Sequence, residues 1–231
     1  MADQVQKSAL IIGASRGLGH GLSLELLTRG WHVTATVRSA AGGTGLEAFH
    51  EQVTMDLLDI TDPATIGPFI DRMLGQIFDV VFINAGISGP QDKTAADVAS
   101  ADYAHLMFTN AISPIRLAGL LLPTVKQGTG ILAFMSSILG SVASNTTGYA
   151  SLYSSSKAAL NSLTRSFVAG LKNPDITVLT LHPGWVRTDM GGPGADIDVE
   201  TSVHGLADVL EQQAGKPGHR FLNYKGETIP W

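Results

Sequence analysis

The chain predicts an α/β fold: a doubly wound parallel sheet of about seven strands, in the order 3-2-1-4-5-6-7, with helices on both faces. Three observations carry this expectation. The apolar run Ala9-Leu10-Ile11-Ile12 leads directly into the glycine loop Gly13-Ala14-Ser15-Arg16-Gly17-Leu18-Gly19 and then into a leucine-rich helical stretch. Further short, continuous apolar runs recur down the chain, as expected of strands covered on both faces. Several of those runs end in polar residues, at the strand ends where open α/β sheets bind ligands. Together they describe a Rossmann-type arrangement over residues 1–231 as one domain.

The elements follow in order. Leu22, Leu24, Leu26 and Leu27 support a first helix that stops near Gly30. His32 to Val37 alternates as a second strand and ends in Arg38-Ser39. Ala40 to Gly45 reads as a flexible segment, with at most a stub of helix over Leu46 to His50. Val53 to Asp56 is a third strand, and Thr61-Asp62-Pro63 starts a helix with a capping side chain and an early proline. Phe78 to Ile83 is a fourth strand ending in Asn84-Ala85-Gly86. Ser100 to Leu122 reads as a long helix with Asn110 at its middle and a kink or local break at Pro114. Ile131 to Met135, a helix over Leu152 to Leu171, a strand over Ile176 to Leu181, a helix over Val199 to Gln213 and a short strand at Arg220 to Leu222 complete the pattern. The loop Gly191-Gly192-Pro193-Gly194 reads as a hinge inside a short substrate loop at about 189–198.

Composition narrows the function classes. The net charge is −5, and no cluster of Lys or Arg appears, which argues against a nucleic-acid partner. There is no cysteine, so neither a disulfide framework nor a thiolate metal site is expected. Asp56, Asp59 and Asp62 lack the glycine and terminal glutamate of a calcium loop, so no metal is expected there. The N-terminal apolar run is short and Ile115 to Leu122 is interrupted by Arg116. The expectation is a cytoplasmic chain without a membrane partner.

Tyr153 and Lys157 lie four apart in a helical stretch, which stacks phenol and ammonium on one face. The cation is then expected to favour the phenolate and lower the phenol pKa, making Tyr153 a general acid or base. An ordinary surface pair is the alternative. The strand, glycine loop and helix place backbone N–H groups and a helix N-terminus against a phosphate, unless the loop is a glycine turn without a ligand. The strand-end position where a carboxylate would meet a ribose 2′-hydroxyl holds Val37, followed by Arg38. With Arg16 in the loop, two cations flank this pocket, which favours a phosphorylated ribose; a solvated strand-end arginine is the alternative.

These residues resemble the short-chain dehydrogenase/reductase family along essentially the whole chain. Gly13-x3-Gly17-x-Gly19 is similar to its cofactor loop, Asn84-Ala85-Gly86 to its fourth-strand motif, and Pro183-Gly184-x-Val186-x-Thr188 to its nicotinamide-facing loop. Asn110, Ser137, Tyr153 and Lys157 resemble its catalytic tetrad. Ser137 is chosen over Ser136 because it keeps the Ser-x2-Gly context through Gly140. It lies sixteen residues before the tyrosine rather than the family's usual thirteen or so, which implies an insertion in Gly140 to Leu152. Met135 to Ser141, the insert Ser144 to Gly148 and the stretch Gly226 to Trp231 resemble the small C-factor-like carbonyl reductase branch.

The resemblance implies an NADP(H)-dependent reductase of a small, largely apolar carbonyl or alcohol. Tyr153 would move the proton, Ser137 would hold the carbonyl oxygen, Lys157 would bind the nicotinamide ribose, and Asn110 would hold a water. It further implies cofactor contacts from Gly13, Ser15, Arg16, Gly17, Leu18, Gly19, Arg38, Asp56, Leu57, Asn84, Ala85, Gly86, Tyr153, Lys157, Pro183, Gly184, Val186 and Thr188, with Asp56 and Leu57 at the adenine. Ile138, Trp185 and Met190 are the expected apolar walls. Ser155, Ala159, Ser162 and Ser166 form a small-residue stripe that suits a homodimer or homotetramer. A dinucleotide-binding signalling or sensor protein with little turnover is the alternative function.

Overall fold

A computed structural model describes residues 6–39, 45–172 and 175–231. Residues 40–44 of the segment read as flexible lie outside the described residues. Seven parallel strands form one sheet in the expected order: β1 (Ser8–Ile12), β2 (His32–Val37), β3 (Val53–Leu57), β4 (Val80–Ile83), β5 (Ile131–Met135), β6 (Thr177–His182) and β7 (Gly218–Asn223). The period-two pleat sends alternate residues of β1 to opposite faces. Ala9 and Ile11 join a core beneath α1 (Gly17–Thr28) and α6 (Val199–Gln213). Leu10 and Ile12 join the core on the other face, beneath α2 (Pro63–Met73), α4 (Ser113–Leu121) and α5 (Ser151–Gly170).

Local chemistry explains the boundaries. The Asp62 side chain accepts a hydrogen bond from Ala64 N and Pro63 fills the first helical turn, as the sequence suggests for α2. Asp198 caps α6 in the same way, through Thr201 N.

The long helix is locally broken, one turn before its proline. α3 (Ser100–Met107) passes through a π-turn, Phe108–Ile112, into α4, and Pro114 sits in the first turn of α4. Pro114 has no N–H to give to the Asn110 carbonyl in the α register, so the irregularity falls one turn earlier. By length and composition the run Ser100–Thr124 could cross a bilayer, but half of its most apolar window is buried inside the fold.

The small-residue stripe on α5 is partly used within the chain. The Ser155 hydroxyl meets the Tyr103 hydroxyl at 3.0 Å, and Ala159 packs on the core, which leaves Ser162 and Ser166 exposed.

Candidate active site

The carboxyl ends of β1, β2, β4, β5 and β6 open onto one cavity of about 820 Å³, the size range of ligand sites. Its floor begins at the glycine loop. Gly13 N donates to the Thr36 hydroxyl at 3.0 Å and the Asn84 amide donates to the Gly13 carbonyl at 2.8 Å, so β2 and β4 fix the loop from both sides. A Cβ at Gly19 would run into the Gly13 carbonyl and the Asn84 amide. Gly19 therefore allows the loop to close on itself, while Gly13, Ser15, Arg16, Gly17 and Leu18 face the cavity.

Asn84, Ala85 and Gly86 carry the wall towards α5. The Asn110 side chain accepts from Ile87 N and donates to Ile87 O, both at 2.8 Å, and donates to the Ser156 hydroxyl at 3.0 Å. Thus the π-turn, the β4 loop and α5 are clamped by one buried amide. A Cβ on Gly86 would come within 3.2 Å of Asn110 Oδ1 and 3.5 Å of Lys157 Nζ, which locates all three together.

Lys157 is 3% exposed, and its ammonium donates to the Met135 carbonyl at 2.9 Å. Burial lowers its pKa to about 8. Ser137 caps a turn at Ile138–Gly140, accepting from Leu139 N at 3.2 Å, and lines the cavity with Tyr153. Ser136 also reaches the cavity, but its hydroxyl is spent on Asn161 Oδ1 at 2.7 Å. The Ser-x2-Gly spacing has a packing reason. A Cβ on Gly140 would lie 2.8 Å from the Lys157 carbonyl carbon, so only glycine lets this turn rest on α5.

Gly19, expected to contact the cofactor, and Asn110, expected to hold a water, do not line the cavity. Four further expectations change. First, burial raises the Tyr153 phenol above its ordinary value, so the cation four residues on does not lower it. Lys157 is turned to Met135 O, and desolvation of the phenolate dominates. Second, Asp56 and Leu57 do not line the cavity. Asp56 is still within β3, where Arg72 of α2 binds both its carboxylate oxygens at 2.9 and 2.7 Å. Leu58, Asp59, Ile60 and Thr61 line the cavity instead, as the chain leaves the strand.

Third, Ile138 points to solvent, 41% exposed, and Leu139 takes its place on the wall with Trp185 and Met190. Fourth, the glycine-rich loop is tied down. Trp185 Nε1 donates to Gly191 O at 2.9 Å, Gly191 N donates to the Thr188 hydroxyl at 3.1 Å, and Arg187 donates to Ala195 O at 3.0 Å. Sequence reasoning also missed His105, Thr109 and His182, which line the cavity without a motif to mark them.

Arg38 lines the cavity beside Asp59, whose pKa is lowered first by the Thr61 hydroxyl and further by the Arg38 charge. Arg16 reaches across the mouth to Asp189, Nη1 to Oδ2 at 2.6 Å, between two exposed side chains. Pro183, Gly184, Val186 and Thr188 complete the wall.

A family model described as short chain dehydrogenase matches residues 7–196. The chain belongs to the short-chain dehydrogenase family. A protein of Burkholderia multivorans described as a short-chain dehydrogenase/reductase, solved with bound NADP, superposes with a TM-score of 0.94 at 40% identity, over 98% of this chain and 100% of that one. A carbonyl reductase from Pseudomonas aeruginosa PAO1 in complex with NADP gives 0.90 at 39% identity, over 98% and 100%. The C-signal protein of Myxococcus xanthus is 40% identical over 154 residues, 66% of this chain and 92% of its own length. With this family membership, the fold and its strand order match the sequence-based expectation.

The residues fit a nicotinamide dinucleotide phosphate. The glycine loop offers backbone N–H groups at the start of α1, Arg38 lines the cavity beside Asp59, and Arg16 lines its mouth. Lys157 uses one of its three N–H bonds on Met135 O, which leaves two for a ligand.

Proposed function

We propose that this short-chain dehydrogenase is an NADPH-dependent carbonyl reductase. One observation carries the reading: Ser137, Tyr153 and Lys157 line a single cavity with the glycine loop and the Asn84–Gly86 wall. NADP(H), when bound, supplies or accepts the hydride. Every other part of the work falls to side chains of this chain.

Ser137 hydrogen-bonds the carbonyl oxygen and helps hold charge developing there. Tyr153, a phenol protonated at neutral pH and pushed further that way by burial, donates its proton to that same oxygen. Lys157 binds a ribose, and its charge, 5.7 Å from the centre of the phenol ring, offsets only part of the burial penalty on the tyrosinate left behind. Asn110 keeps α5 and the β4 loop in register, so that these groups converge.

Leu139, Leu152, Trp185 and Met190 give the substrate end an apolar wall, which suits hydrophobic aldehydes and ketones. The test is loss of reduced-nicotinamide absorbance on addition of aldehydes, ketones and quinones, with NADPH and NADH compared. No turnover of any of them with either cofactor contradicts the reading.

The relative named C-signal supports a second reading, a dinucleotide-binding signalling protein. That reading predicts cofactor binding without turnover in the same assay. We further propose a homodimer through the exposed Ser162 and Ser166 side of α5, working in the cytoplasm. Light scattering that finds only monomer at micromolar concentration contradicts the dimer.

A further inference from the structure

His182 ends β6 and lines the same cavity as Ser137 and Tyr153. The register pairs Met135 with Leu181, and Ser136 N donates to Leu181 O at 2.7 Å, so His182 stands beside Ser136 and close to Ser137. Among the described residues none hydrogen-bonds its ring. Nδ1 is buried without a partner, although a buried polar atom left unpaired costs free energy. The Ser136 hydroxyl beside it is committed to Asn161. Burial pulls the His182 pKa down to about 4, so at neutral pH the ring carries one N–H donor and one acceptor.

We infer that His182 is a specificity-determining residue, whose imidazole hydrogen-bonds a second polar group on the substrate, next to the carbonyl held by Ser137 and Tyr153. The inference rests on the carbonyl-reductase reading of this site. Neighbouring strands run about 4.8 Å apart and both residues line the one cavity, so a substrate held at Ser137 needs only a few bonds between its carbonyl and a polar group that meets His182. The substrate class is therefore a carbonyl with a second oxygen function close by, of which 1,2-dicarbonyls and α-hydroxy ketones are the most compact. A neutral imidazole serves both, because its tautomers exchange donor and acceptor. Matched monoketones fill the apolar wall but leave the ring unpaired, and a site built to hydrogen-bond a group discriminates against the analogue that lacks it.

The experiment compares kcat/KM for 1-phenyl-1,2-propanedione and propiophenone at saturating NADPH, in the wild type, His182→Leu and His182→Asn. The dione-to-monoketone ratio is expected to fall roughly 10–100-fold in His182→Leu, the value of one lost hydrogen bond to a site partner. His182→Asn, which keeps a donor and an acceptor, is expected to recover part of it. An unchanged ratio in His182→Leu overturns the inference and leaves carbonyl reduction standing.

A binding readout separates the two readings further. Nitrogen NMR of the imidazole, on titrating the chain with NADP and 2-hydroxy-1-phenylpropan-1-one, is expected to shift the His182 ring signals. If the wild type reduces neither ketone, the reductase reading fails, and the titration still decides the contact. Unmoved ring signals at saturating hydroxy ketone overturn it.

Discussion

The Lys157 ammonium lies 5.7 Å from the centre of the Tyr153 ring and spends a hydrogen bond on the Met135 carbonyl. Its pKa near 8, set by burial, makes cofactor affinity pH-dependent. Binding that uses the cation favours the protonated lysine. The NADPH dissociation constant is therefore expected to stay level below about pH 7.5 and to rise above about pH 8, approaching tenfold per unit. Lys157→Met should bind more weakly and lose that rise. Fluorescence titration of NADPH across the range checks it, and a flat wild-type profile contradicts it.

Asn110 is fully buried and holds Ile87 by both its N–H and its C=O. In Asn110→Leu those backbone groups lose their partner, and each unpaired group costs about 1–3 kcal/mol. The urea midpoint should drop clearly, and Asn110→Asp should not restore it, because a carboxylate cannot donate to Ile87 O. An unchanged midpoint in Asn110→Leu means that the clamp contributes nothing to stability.

Arg38 and Arg16 set the cofactor preference in this account, with Asp189 as competitor. Arg38→Ala should weaken NADPH roughly 10–100-fold and leave NADH within a few-fold, as expected for a charge-assisted bond to a partly solvated phosphate. Exposed ion pairs are worth about 0.2–1 kcal/mol, so freeing Arg16 by Asp189→Asn should tighten NADPH by only a few-fold. Calorimetric titration of both cofactors checks this. Equal losses for both in Arg38→Ala make Arg38 structural.

What the sequence made legible was whatever depends on local pattern. The apolar runs of β1, β4 and β5, the Asp62 cap and the glycine loop each fix their own conformation, and the parallel order follows from the alternation with helices. Properties set by distant packing were not legible. Spacing brings Tyr153 and Lys157 together, but burial by other elements decides the direction of the phenol shift. Asp56 and Asp59 both look like strand-end carboxylates, and only the pairing of β3 and the reach of Arg72 separate them. Gly191 to Gly194 reads as a hinge because Trp185, Arg187 and Thr188, which tie the loop, have no pattern that announces it.

His182 and His219 both have pKa values lowered to about 4, chiefly by burial. A folded-state value below the unfolded 6.5 means that the native chain disfavours protonation. Their contribution is therefore present above about pH 6.5 and is lost as pH falls towards about 4. The urea midpoint should decline between about pH 6.5 and 4.5, with a shallower decline in His219→Leu. A midpoint that rises over that interval has the wrong sign.

In the proposed mechanism the Tyr153 hydroxyl delivers the proton in carbonyl reduction. Tyr153→Phe removes that oxygen and keeps the ring against Lys157, so fold and NADPH affinity should survive. The decisive measurement is single-turnover NADPH oxidation with a carbonyl that the wild type reduces, in both proteins, with NADPH binding measured alongside. The rate is expected to fall by about 10²–10⁴-fold, the usual contribution of general acid catalysis, at nearly unchanged NADPH affinity. A variant that binds NADPH normally and reduces the carbonyl within a few-fold of the wild-type rate contradicts it.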